Sequence, residues 1–149
     1  VTTPQDVPAH VQTVTHDYTV HYPAHEPRTN DPHHADFEEW KRRRRVAGTY
    51  DCDFALKYRP DFSECDLTKP LEAHHSVIEF ALQNGVDIKL LEQFYPGVSQ
   101  EGIGAWIDSD QNLTLLCTWH HRGHGGVHLV SASDWVAYKF VKGMISLCT

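Results

Sequence analysis

Three observations predict an α+β fold. Two short apolar segments, residues 71–74 and 113–117, have the length and composition of strands, and helix-patterned segments lie between and outside them. Six of the twelve histidines crowd into residues 71–76 and 112–128, in or beside those strands, while the other six lie before residue 35. The first 36 residues hold five prolines, a local net charge of -4 and no sustained apolar period, the composition of an extended or disordered arm rather than of a packed element.

Length and charge bound the rest. A chain of 149 residues suits one domain with a real core. We expect an arm over residues 1–35 and a body over 36–149. No apolar run reaches membrane-spanning length, and Pro4 and Pro8 stand where a signal peptide would need apolar residues, so the expected setting is intracellular, with no membrane partner. Cys52, Cys65, Cys117 and Cys148 are too few and too scattered for a disulfide scaffold. The net charge of -7 argues against a surface coated in phosphate contacts but leaves room for a local basic patch.

Taken in order, residues 36–47 should form a helix, with acidic residues in the first turn, cations in the last, and Gly48 closing it. Phe37, Trp40 and Arg44 share one side. The run Lys41, Arg42, Arg43, Arg44 and Arg45 is either a solvated helix end or a nucleic-acid contact. Residues 50–70, with Cys52, Cys65 and Pro60, show no period and need something to pin them down. After the first strand, residues 76–85 should be a helix with Val77, Phe80 and Ala81 inward, and Gly85 as its stop. A second helix should span residues 86–95, and the glycine-rich residues 98–111 should be loop. A helix begins at Thr118, and Gly123, Gly125 and Gly126 make it short. A last helix, capped by Ser133, should run to Gly143 and pack Trp135, Val136, Phe140 and Val141 on the domain. The four tryptophans are expected in the core or at its rim.

Imidazole suits zinc and related divalent ions, and a catalytic site keeps one coordination position open. On a strand His74 and His75 point to opposite faces, so one can hold a metal while its neighbour acts as a base. Asn112 can hold a loop through backbone hydrogen bonds, and His121, His124 and His128 are available to complete a site.

The series Leu-Glu-Ala-His74-His75, Asn112-Leu-Thr-Leu-Leu-Cys117 and His120-His121 resembles the HNH (His-Asn-His) endonuclease family, over roughly residues 50–130. The resemblance implies a ββα-metal (His-Me finger) core, here carrying added N- and C-terminal helices and the arm. It implies His74 as first metal ligand, His75 as general base, Asn112 as the asparagine that orients the base-bearing loop, and His121 as the ligand on the helix. Glu72 falls where some members orient a histidine. Members with three histidine ligands place the last a helical turn beyond the second; the glycines interrupt that turn here, leaving His128 or His124. Arg122 or the basic run would hold flanking phosphates.

The family's structural zinc, held by two cysteine pairs, is altered in this chain. Cys117 is followed by His120 instead of a second cysteine, and Cys52 and Cys65 are twelve intervening residues apart. Cys52, Cys65, Cys117 and His120 would make a tetrahedral zinc set that pins the 50–70 loop; the alternative is buried small hydrophobes. The implied function is DNA phosphodiester hydrolysis of low sequence specificity with one zinc, magnesium, manganese or nickel ion, in a setting such as a phage, and so a host cytoplasm. The competing expectation is a metal-stabilised nucleic-acid-binding or assembly module without cleavage, working with a protein partner or as a homodimer.

Overall fold

The computed structural model describes residues 7–25, 32–54, 65, 68–141 and 143–145, with no side chains for 32–35, so Cys148 and most of the 55–67 loop lie outside the described residues. The architecture is mixed α+β: a two-stranded antiparallel sheet packed against helices. Strand β1 (Glu72–His75) pairs with β2 (Leu113–Leu116), with Glu72 opposite Leu116, Ala73 opposite Leu115, His74 opposite Thr114 and His75 opposite Leu113. Facing residues share a face, so His74 lies with Thr114 and Glu72, and His75 lies with Leu113 and Ala73 on the other. The first strand starts one residue later than expected.

Helix α1 (Pro32–Val46) begins earlier than the predicted 36, inside the interval assigned to the arm, with proline at a first-turn position that needs no N–H donor. The acidic residues therefore fall after its first turn, contrary to expectation, while Arg43, Arg44 and Arg45 do close its last. Its Trp40 is 1% exposed and packs with Cys52, Phe54, Leu71, Cys117, Tyr138 and the three leucines of β2. The Trp40 indole Nε1 donates to Asp110 Oδ1 at 2.6 Å, satisfying the one polar atom that its burial would strand.

Arg44 has a second outcome. Its guanidinium holds both carboxylate oxygens of Asp53, at 2.6 and 3.2 Å, and Asp53 in turn accepts the backbone N–H of Leu115 at 2.8 Å. This pair ties α1 to the sheet from the side that Arg44 shares with Phe37 and Trp40.

Residues 76–111 build a second, smaller layer around Leu91, Val98 and Trp106. The α-helix predicted for 76–85 is absent. A 3-10 helix spans Phe80–Gly85 with no buried residue; the Ile78 carbonyl, which an α-helix would offer to Leu82, accepts from Asn112 Nδ2 instead, and Leu82 N donates to the Glu79 carbonyl at 2.9 Å. Helix α2 (Ile88–Phe94) is capped by Asp87, which accepts the Leu90 N–H at 3.0 Å. The stretch expected as loop holds two short helices, α3 (Val98–Glu101) and α4 (Ile103–Ile107). Its glycines are corners rather than coil: Gly97 and Gly102, at φ 104° and 89°, bracket α3 in a region other residues avoid. Trp106, 0% exposed, is what anchors the segment.

Helix α5 (Thr118–His121) is one turn, as the following glycines predict, and sits against the sheet. Helix α6 (Ala132–Tyr138) is capped by Ser131 rather than Ser133, the hydroxyl accepting the Asp134 N–H at 3.1 Å. It buries Tyr138 and half-buries Trp135, while Val136, Phe140 and Val141 are exposed instead of packed. Trp40 and Trp106 are core and Trp119 and Trp135 line its rim, as expected.

Residues 7–25 contain no helix or strand and are largely exposed. They touch the body near their end, where Asn84 Nδ2 donates to the Ala24 carbonyl at 2.8 Å and Pro23 lies against Gly85. No helix among the described residues is long and apolar enough to cross a membrane.

Candidate metal centre

Two groups of side chains able to hold a divalent ion flank α5. His74, His121 and His128 offer nitrogens, and Cys52, Cys65, Cys117 and His120 offer sulfurs and a nitrogen, with the atoms of each group all within 4.8 Å of one another. His120 and His121 are adjacent, so the helix turns one imidazole toward each group. His124, the other candidate third ligand, is exposed and belongs to neither.

In the cysteine group, His120 Nδ1 lies 3.2 Å from Cys117 Sγ and 3.5 Å from both Cys52 Sγ and Cys65 Sγ. A tetrahedron with metal–sulfur ~2.3 Å and metal–nitrogen ~2.0–2.1 Å has sulfur–nitrogen edges of about 3.5 Å, so the donor set fits a zinc-sized ion. The three cysteines form no disulfide. Phe54 stacks on the His120 ring at 4.2 Å, and Cys65 is the one partly exposed member of the group. The Cys65 thiol is pushed far up by its contacts with Cys117 and Cys52, then by burial, as expected where sulfurs crowd together with no cation between them.

The histidine group fits an ion by different signs. His74 Nδ1 is buried without a hydrogen-bond partner, and His121 Nε2 and His128 Nε2 face one another at 3.0 Å. On its far side, His121 Nδ1 is held by the Glu72 carboxylate, which fixes the tautomer and turns the Nε2 lone pair inward. Burial, followed by the neighbouring His121 and His128, holds His74 down to about 4, and burial also lowers His121 despite Glu72. Both rings are then neutral near pH 7, the form that ligates a metal. His74 and His121 are buried whereas His128 is exposed, leaving the group open on one side. His74 also lines a cavity of about 530 Å³ shared with Thr114, Trp135 and Lys139.

The glycines deliver His128. After α5 the chain doubles back, and Val127 N and His128 N donate to the His120 and His121 carbonyls at 2.9 and 3.3 Å. A Cβ on Gly126 would stand 2.6 Å from the His121 carbonyl oxygen, so only glycine allows this return. Gly126→Ala is expected to push the loop off α5 and weaken divalent-ion binding by at least about tenfold, as loss of metal-site support does. Titration with cobalt, read by its visible absorption, checks this; an unchanged affinity would show that the loop tolerates the clash.

His75 lies apart from both groups. Its Nε2 is 3.2 Å from Asp108 Oδ1, its Nδ1 is 3.6 Å from Glu79 Oε2, and the Phe37 ring of α1 packs against it at 5.1 Å. Burial lowers its affinity for a proton, and the carboxylates of Asp108 and Glu79 more than reverse that, so its pKa is raised. Glu79 itself is pushed up by burial and brought below the usual carboxylate value by His75, with His74 and His128 adding to the effect. Glu79 therefore stands where it senses both His75 and the histidine group. Glu79 and Asp108 were missed at the level of sequence, since acids within a 37-residue connection carry no spacing that marks them.

Asn112 is 0% exposed, and its side chain binds Val77, Ile78 and Ile107, fixing the backbone beside Glu79 and beside Asp108. Arg122 is largely exposed, with Nε 3.3 Å from Glu72 Oε2. In the basic run, Lys41 pairs with Glu38 and Arg42 with Glu39, and Arg45 lies over the Tyr50 ring. Arg43 lines a cavity of about 780 Å³ that also reaches Ser76, the residue after His75. Compared with family models, curated proteins and solved structures, the chain matches none.

Proposed function

We propose that this protein is a metal-dependent endonuclease that hydrolyses DNA phosphodiester bonds, one divalent ion being held by His74, His121 and His128. The observation that carries the reading is the convergence of three imidazoles from β1, α5 and the glycine loop, one with a buried unpartnered nitrogen, beside a fourth imidazole gripped by carboxylates. A divalent ion there supplies a Lewis acid for the phosphoryl group and the departing oxygen. His75 accepts a proton from water as the water oxygen bonds to phosphorus; the P–O3′ bond breaks, its electron pair leaves with O3′, and that oxygen is protonated by solvent. Glu72 keeps His121 in register, and Asn112 holds the segment that follows His75. Arg122 or Arg43 of the basic run would meet flanking phosphates. A zinc ion held by Cys52, Cys65, Cys117 and His120 serves stability rather than chemistry.

The test is nicking of supercoiled plasmid with zinc, magnesium, manganese and nickel in turn, using the wild type and His75→Ala. Metal-dependent nicking that drops about 10²–10⁴-fold in the variant is expected for a general base. DNA binding without cleavage in all four metals would favour the second reading, a metal-stabilised binding or assembly module. That reading draws on the Cys52, Cys65, Cys117 and His120 set, which would couple a metal ion to folding without calling on His75.

A further inference from the structure

The 37-residue connection between the strands supplies both carboxylates that face His75. We propose that Asp108 is a positioning residue for His75, accepting the Nε2 proton and leaving Nδ1 as the nitrogen that takes the proton from water. This rests on the nuclease reading and assigns the source of its base's orientation.

The argument is one of chemistry and rigidity. A carboxylate only accepts, so the 3.2 Å contact between Asp108 Oδ1 and Nε2 requires the ring proton on Nε2. In the neutral ring the lone pair is then on Nδ1. The side chains of His75 and Asp108 are 5% and 13% exposed, so water competes little for the bond. Asp108 is also held firmly. It ends α4, its N–H donates to the Ala105 carbonyl at 3.3 Å, Asn112 Nδ2 grips the preceding Ile107 carbonyl at 2.8 Å, and Trp106 is fully buried beneath. On the other side of the ring the contact is looser. Glu79 Oε2 stands 3.6 Å from Nδ1 and its side chain is 39% exposed, so Nδ1 faces the wetter side. The Phe37 ring limits how far the imidazole can tilt. The layer built on Leu91, Val98 and Trp106 thereby acquires a task, which is to bring Asp108 to the end of β1.

The experiment uses the full chain and two readouts. Plasmid nicking gives kcat and KM for wild type, Asp108→Asn and Asp108→Glu. Long-range nitrogen–proton NMR on labelled, metal-loaded protein gives the His75 tautomer at a pH where the ring is neutral. Asp108→Asn should lower kcat about 100-fold or more while KM for DNA and bound metal per chain stay at wild-type values, and Asp108→Glu should recover part of the loss. The wild-type spectrum should place the proton on Nε2, and Asp108→Asn should lose that preference. Wild-type kcat together with an unchanged tautomer in Asp108→Asn would overturn the proposal, as would a rate loss that merely follows lost metal or a lowered melting temperature. Should the wild type cleave no DNA in any of the four metals, the nuclease reading fails separately, and the tautomer in wild type and Asp108→Asn still decides whether Asp108 orients His75.

Discussion

Removing the ion from the Cys52, Cys65, Cys117 and His120 set is expected to unfold most of the domain. The set joins three separate pieces of chain: the end of the segment after α1, the 65 position of the long loop, and the Cys117–His120 turn that starts α5. Cys52 and Cys117 lie inside the main core with Trp40, Phe54 and Tyr138, so loss of the ion leaves crowded sulfurs in the interior. Structural zinc sites contribute about 10–16 kcal/mol of apparent binding free energy at neutral pH, comparable to or above the ~5–15 kcal/mol by which whole domains are stable. A strong chelator should therefore lower the melting temperature by tens of degrees, measured by circular dichroism, and Cys117→Ala should reproduce the effect without chelator. Protein shown metal-free by elemental analysis yet melting at the original temperature would mean that the cysteines are ordinary core residues.

Asn112→Ala should be nearly as damaging, and it should abolish both stability and cleavage. The side chain makes four hydrogen bonds from a fully buried position: Oδ1 accepts from Val77 N and Ile78 N, each at 3.0 Å, and Nδ2 donates to the Ile78 and Ile107 carbonyls at 2.9 and 2.8 Å. Truncation strands these backbone groups at about 1–3 kcal/mol each, so a total near 4 kcal/mol is expected, in the range where few single substitutions fall. It also releases the two segments that carry Glu79 and Asp108 to His75. Denaturant unfolding should show the loss of stability, and plasmid nicking should fall at least as far as in His75→Ala. A variant with wild-type stability and activity would show that the segment after His75 is held by packing alone.

Much of this was legible before any coordinates. The strand positions follow from compact apolar runs, and the short α5 follows from the glycines behind it. The Cys117–His120 spacing already puts a thiol and an imidazole on one face of a helical turn. The 76–85 segment has a helical pattern in isolation, but Asn112, 34 residues beyond Ile78, takes the Ile78 carbonyl that an α-helix would use. The 98–111 segment was misjudged because glycine was weighted as a loop former; at Gly97 and Gly102 it is instead a corner that lets two short helices pack on Trp106. Among the cations of α1, helical spacing puts Arg44 on the Trp40 side, but that its partner there is Asp53 only the folded chain decides.

The sequence by itself determined which residue types stand near one another along the chain, and so which donors are on offer: imidazoles at His74, His75, His120, His121, His124 and His128 and thiols at Cys52, Cys65 and Cys117. Only the tertiary structure decided which donors meet. His128 enters the group and His124 does not, because the chain closes onto the His121 carbonyl through Gly126, a contact of backbone with backbone that residue identity does not encode. Asp108 and Glu79 reach His75 because Asn112 folds a long connection back on itself. Local pattern sets what a segment can offer; long-range closure sets what it is offered to.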